Sequence, residues 1–264
     1  MNDFSAPDSP TDGHDGNQSK QTPSQSRTLA AGIALVVVLL GGVGIYLIFG
    51  SSAPDEVDLE ATRDATNTGS DDRTDVVNID ANGTWTINNE IGEFVVDGNS
   101  TSSFVGFRVD EELASIGATT AVGRTPAVSG SIQIDGLTVT SVEIEADLTQ
   151  IRSDIDKREA PIQRALNTQT NPTATFTLSE PFELPGVALA GEIVTANASG
   201  VMTVNGIGVD MVIPIEAQLS DGSVLVTGSI VVALSQFDVA APSAASVISV
   251  SDNATIEMQL WLSR

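Results

Sequence analysis

From Val209 to Leu219 apolar and polar side chains alternate. Val209, Met211, Ile213, Ile215, Ala217 and Leu219 share one parity, and Asp210, Pro214, Glu216 and Gln218 share the other. A period of two predicts a strand with one buried and one solvated face. Asn205-Gly206 precedes it and tolerates positive φ, so the run 202–204 is expected to pair with it as a hairpin.

The same design recurs through 83–264. Val105, Phe107 and Val109 fall together in the run 103–109. A strand over 131–134 ends at the tight-turn signal Asp135-Gly136, and its return sets Val142, Ile144, Ala146 and Leu148 against Ser141, Glu143, Glu145 and Asp147. Further runs cover 173–180, 192–204 and, after Asp221-Gly222, 223–234. The chain closes with Ile256, Met258, Leu260 and Leu262 opposite Thr255, Glu257 and Gln259. About eight long, one-sided, hairpin-linked strands predict an all-β antiparallel fold, an up-and-down barrel or a sandwich. One segment breaks the alternation. Between Arg152 and Asn167, Asp154 and Asp156 offer caps, Glu159 follows Asp156 by three residues, and Ile162 and Leu166 stand four apart. This reads as a short helix crossing between strands, with Pro161 in or near its first turn.

Upstream the pattern changes twice. Residues 29–49 form a run of 21 residues without a charge. At about 1.5 Å of rise per residue this is long enough to span a bilayer core of about 30 Å as one transmembrane helix. Lys20 and Arg27 precede it, while Asp55, Glu56, Asp58 and Glu60 follow. That bias predicts a single-pass protein of the cytoplasmic membrane, N-terminus inside, with the C-terminal domain periplasmic or extracellular. The competing reading is a signal peptide cleaved near Ser51-Ser52-Ala53. The apolar core of such a peptide is usually about 7–15 residues, shorter than this run. Residues 1–28 are polar and expected to be a disordered cytoplasmic tail. Residues 50–82 hold nine acids and two arginines and are expected to form an acidic, flexible linker.

Charge narrows the partners. The chain carries a formal charge of −24, and from Gly83 onward 22 acids face 7 bases. Such a surface repels phosphate backbones, which argues against nucleic acid. There is no cysteine, and the single histidine, His14, lies in the polar tail. Thiolate and imidazole chemistry are therefore excluded from the domain, and no metal or cofactor is expected.

The order of motifs in 83–264 resembles the YceI-like family. Trp85-Thr86-Ile87, Val105-Gly106-Phe107-Arg108-Val109 and the run 128–135 open the resemblance. Asp156-Lys157-Arg158-Glu159 followed by Asn171-Pro172 and Phe176, the hairpin 202–215, Leu234-Ser235-Gln236-Phe237 and 250–252 continue it. Two positions depart from the family pattern: Glu159 stands where aspartate is usual, and Asp238 where glycine is usual. The resemblance implies a lipocalin-like antiparallel barrel whose interior binds an isoprenoid lipid of quinone or polyprenyl type, a holding rather than a catalytic role.

On that reading the inward parity supplies the ligand-binding candidates Phe107, Val109, Ile132, Ile134, Phe176, Leu178, Met202, Val204, Met211, Ile213, Phe237 and Met258. Arg158 is the foremost candidate for the lipid's polar head, with Arg108 and Arg152 behind it. Two other readings stand beside this one. The domain is a tethered interaction module with a filled core, or a carboxylate-dependent hydrolase using Asp154 with Asp156 or Glu143 with Glu145. Those i, i+2 pairs share a strand's solvent face rather than a cleft, so no catalytic residue is assigned.

Overall fold

A computed structural model describes residues 53–66, 80–220, 222–241 and 247–264. The expected tail 1–28 and apolar span 29–49 lie outside the described residues. Among those that are described, no helix is long and apolar enough to cross a membrane.

Among the described residues twelve strands form in chain order: β1 (Gly83–Ile87), β2 (Phe104–Leu113), β3 (Gly117–Thr125), β4 (Val128–Asp135), β5 (Thr138–Asp147), β6 (Arg152–Ser153), β7 (Thr173–Leu178), β8 (Phe182–Glu183), β9 (Val194–Val204), β10 (Ile207–Ser220), β11 (Ser223–Ala233) and β12 (Val247–Ser263). Two short α-helices accompany them among the described residues, α1 (Leu59–Thr66) and α2 (Glu159–Ala165). Antiparallel pairing runs β1-β4-β5-β7-β9-β10-β11-β12 and returns from β12 to β1 through Thr86↔Ser263 and Ile87↔Leu262. This closes an eight-stranded barrel, the first of the two expected architectures, and removes the free edges that a sandwich keeps.

The long strand β12 makes the wall fork. The edge that meets β1 at its C-terminal end pairs with β2 from Val247 to Gln259. Towards the N-terminal end of β12, β2, β3 and β6 replace β1 and β4 in the wall. At the fork the backbone of Trp261 is completed locally: its carbonyl accepts from the Asn88 N–H at 2.7 Å and its N–H donates to Ser103 Oγ at 2.9 Å.

The hairpin expected at Asn205-Gly206 is a type I′ turn, with φ of 52° and 75°, and Val204 pairs with Ile207 across it. The six residues of the inward parity, Val209, Met211, Ile213, Ile215, Ala217 and Leu219, all face the main core, and Val212 on the other parity is exposed. At the end near β1 the barrel is plugged. Trp85 is 1% exposed, its indole N–H donates to the Ala81 carbonyl at 2.8 Å, and Leu260 and Leu262 pack in the same cluster.

The opposite end is crossed by residues 148–172, including α2. The expected caps are not used: the residue before α2 is Arg158, which makes no capping bond through its side chain. Asp154 instead accepts from the Val122 N–H and from Arg158, which ties the crossing segment to β3. Pro161 sits in the first turn, where its missing N–H costs no helix bond.

Part of the expected linker is folded onto the barrel. Residues 53–66 lie against its outer wall, with Leu59 1% exposed beside Leu225 and Trp261. Thr62 Oγ1 donates to Gln259 Oε1 at 2.6 Å. This strap and the loop 88–103 cover the outer face of β12, so Glu257 and Gln259, placed by alternation on the wet side, are buried. Alternation identifies the two faces of a strand but does not reveal what covers the outer one.

Candidate functional site

A cavity of about 90 Å³ lies inside the barrel at the end crossed by α2. Its wall takes Val105 and Phe107 from β2, Ile144 and Ala146 from β5, Ala174 and Phe176 from β7, and Met202 and Val204 from β9. Ile213, Ile230, Ile256 and Met258 complete the strands' share, and Leu148, Ile151 and Leu166 come from the crossing segment. The side chains turned inward are hydrocarbon or thioether. Two polar residues border the cavity, and both turn away. Thr175 lies on the parity opposite Ala174 and Phe176, and Glu257 points to the outer wall, where its Oε1 accepts from Arg124 Nε at 2.7 Å.

Glycines keep this space open. A Cβ at Gly123 would stand 2.6 Å from the Phe107 ring, one at Gly200 2.5 Å from the Phe176 ring, and one at Gly228 2.8 Å from the terminal methyl of Met258. Each of these bulky inward side chains therefore lies flat over a glycine of the neighbouring strand instead of crossing the lumen. The same device works on the outer face at Gly106, which pairs with Arg124 on β3 and Glu257 on β12. The absent side chain lets Arg124 reach across β2 to Glu257.

The resulting ion pair is deeply buried, its partners 2% and 1% exposed. Phe104 lies under the Arg124 guanidinium at 4.5 Å. Arg124 also donates to the carbonyls of Gly98 and Asp55, and Arg108 donates to that same Asp55 carbonyl at 3.2 Å while standing 3.8 Å from Glu257. The strap therefore supplies a backbone acceptor to both arginines.

Of the sequence-derived candidates, Phe107, Phe176, Met202, Val204, Ile213 and Met258 line the cavity. Ile132, Ile134, Leu178, Met211 and Phe237 pack into the main core without bordering it. Val109 is half-buried on β2, beyond the cavity wall. Arg158 is committed elsewhere. It donates to both oxygens of Asp154, at 3.0 and 2.9 Å, and to Glu111, so two carboxylates already neutralise it. Arg152 stands 3.8 Å from Glu159. Glu143 and Glu145 are exposed on the outer wall. The lining residues missed by the sequence reading fall into two groups. Ile144, Ala146 and Ile256 have the right parity, whereas Ile151 and Leu166 come from a segment without strand periodicity.

The YceI-like domain family matches residues 94–262. The chain belongs to the YceI-like family. Asp238, at the position where the family usually has glycine, adopts φ of 51°, a left-handed conformation that glycine occupies freely and aspartate tolerates. No curated protein matches the chain. Among solved structures it is similar to a polyisoprenoid binding domain from Saccharophagus degradans implicated in plant cell wall breakdown, at 17% identity and a TM-score of 0.47, covering 61% of this chain and 93% of that one. It is also similar to BcnA of Burkholderia cenocepacia, at 19% identity and a TM-score of 0.46, covering 60% and 95%. A YceI protein of Campylobacter jejuni follows at 15% identity and a TM-score of 0.42, covering 53% and 82%.

Proposed function

We propose that this YceI-like barrel binds an isoprenoid lipid, taking its chain into the apolar cavity and holding it for storage, transport or sensing. The observation that carries the reading is the cavity itself: a lumen lined by apolar side chains whose bulkiest members rest against glycines. A core evolved only for packing would close such a space, because empty volume costs about 24 cal/mol per Å³.

A drug-sized ligand needs about 300–1,000 Å³, so a polyprenyl tail must widen the lumen as it enters. Met202 and Met258 suit that demand, being unbranched and able to change rotamer at low cost. The gain is burial of apolar area at about 25 cal/mol per Å². A bilayer offers the tail a similar gain, so selectivity comes from the fit of the lumen and from its rim.

The apolar run 29–49 completes the proposal as a membrane anchor, with the barrel on the extracytoplasmic side. Native mass spectrometry of the full chain purified in mild detergent, followed by solvent extraction, tests the binding. A stoichiometric adduct that extracts as a quinone or polyprenol supports the proposal. A chain that stays empty after incubation with undecaprenol refutes it and favours a tethered interaction module.

A further inference from the structure

We infer that the end of the barrel crossed by α2 docks on a lipid bilayer, with exposed isoleucines around its rim entering the interface. The inference rests on the anchor and lipid-binding readings above and deepens them, by naming the end of the barrel that meets the membrane.

Among the described residues seven large apolar side chains are exposed, and the four isoleucines among them all stand at this end. Ile116 lies in the β2–β3 turn, between the paired residues Leu113 and Gly117. Ile248 follows Val247, which pairs with Leu113, so Ile116 and Ile248 belong to one tip. Ile155 sits in the crossing segment, whose Arg158 holds Glu111 of β2. Ile207 follows the Asn205-Gly206 turn, where Asn205 accepts from Asn171 of the same segment. Of the other three, Val212 and Val231 stand on the walls, and Val187 lies at the plugged end, near the Asp135-Gly136 turn. Single exposed apolar side chains are ordinary on any surface, whereas a cluster at one end marks an interaction site. The tip is also free of charge: the run 113–123 has none, in a domain with 22 acids.

The strap adds a second, independent observation. Leu59 packs beside Trp261, while the Asp55 carbonyl, four residues earlier, accepts from Arg108 and Arg124. Arg108 pairs with Thr255, so the strap, traced backwards, passes along β12 from the level of Trp261 towards this same end. Asp55 comes only six residues after Phe49, where the apolar run stops. Six extended residues reach about 20 Å at most. With residues 53–66 fixed to the barrel, the tether to the anchor is that short segment rather than the whole of 50–82, and it leaves from the isoleucine-bearing end.

The cavity lies at this end too, floored by Leu148, Ile151 and Leu166 of the crossing segment. A bilayer against that segment gives a lipid tail a path into the lumen that avoids water. Charge does not drive the contact. Lys157 and Arg164 are exposed on the crossing segment, but Asp110, Glu112, Asp156, Asp238 and Asp252 are exposed at the same end. The contact is therefore apolar, as for an interfacial segment that buries its hydrophobic side chains at the head-group boundary, and it needs no anionic lipid.

The full chain has no cysteine, so Ile116→Cys and, at the opposite end, Val187→Cys each give one site for the fluorophore NBD. In phosphatidylcholine vesicles the label at position 116 should shift to the blue and be quenched by doxyl-labelled lipid, in low and high salt alike. The label at position 187 should do neither. Equal quenching of both labels, or of neither, overturns the docking. Flotation with the vesicles reads the anchor separately, and a chain that does not float defeats the anchor reading and the docking with it. The readout needs no bound isoprenoid, so a failure of the lipid-binding reading shows only in the mass measurement above. With the label moved to Ile155→Cys, the pair Ile116→Asp and Ile248→Asp should return its emission to that seen in water. Both changes fall on exposed side chains, which spares the core. An emission unmoved by the pair overturns the assignment of the contact to these isoleucines.

Discussion

Gly123→Ala tests most sharply how the lumen stays open. The added methyl would stand 2.6 and 2.8 Å from two carbons of the Phe107 ring and 3.3 Å from Ile151 Cδ1. Every one of these neighbours is a side-chain atom, so the backbone can stay in place and the ring must yield. At Gly200 the same change would also strike the Thr177 carbonyl at 2.4 Å, which would confuse blocking with misfolding. The ring's remaining free direction is the lumen. A benzene-sized group fills an engineered cavity of about 150 Å³, whereas this one holds about 90 Å³, so a displaced phenyl overfills it.

Overpacking of this kind costs about 1–3 kcal/mol. In a domain of this size that lowers the melting temperature by about 2–4 °C per kcal/mol, leaving the fold intact. Lipid capture, read by native mass spectrometry, should fall at least about tenfold, equivalent to 1.4 kcal/mol. Adding Phe107→Ala to Gly123→Ala should restore it, because the obstructing ring is then gone. Gly123→Ala that binds lipid like the parent, or a double variant no better than Gly123→Ala alone, would refute the reasoning.

Three further outcomes follow from the outer wall and the barrel's start. Glu257→Gln leaves the buried Arg124 charge without its partner and should cost about 3–5 kcal/mol in urea unfolding, while the paired change Arg124→Met with Glu257→Leu should recover most of it. A loss below about 1 kcal/mol would show the pair to be dispensable. Leu59→Ala should destabilise the barrel by about 2–5 kcal/mol through its cavity under α1, and an unchanged urea midpoint would show that the strap is not part of the folded unit. Asp80 is held below the ordinary aspartate range, first by the Asn82 backbone N–H and then by the Asn82 side chain. A depressed carboxyl contributes stability fully above its unfolded value of 3.8 and loses it as pH falls through the lower folded value. Asp80→Asn should therefore flatten the acid side of the melting-temperature profile, and an unaltered profile would contradict that assignment.

Most of the barrel was legible because its strands are one-sided: a period of two both names a strand and says which residues face in. Val209 to Leu219 is the clearest case, since every odd-numbered position in that run meets the core, while Val212 on the other parity is exposed. Choosing which inward residues line a cavity was a different problem. Ile134 and Phe176 have the same parity signal, yet Ile134 packs in the core while Phe176 borders the space. The difference is set by distance along the barrel axis and by the glycine across the sheet, and neither is a property of one strand's pattern. Arg158 misled for a related reason. Its charge was visible, but Glu111 lies 47 positions away and meets it only through the β2–β3 hairpin. The strap escaped notice because its acids signal solvation, while its anchoring side chains, Leu59 and Thr62, carry no periodicity of their own.

The central claim, that an isoprenoid chain lies inside the barrel, is tested most directly by photo-crosslinking. The full chain would be loaded with undecaprenol carrying a diazirine near the middle of its tail, irradiated, digested and mapped by peptide mass spectrometry. Adducts on Met202, Ile213 and Met258 are the predicted result. Adducts confined to outward apolar side chains such as Val212, Val231 and Ile248, with the lumen untouched, would contradict it.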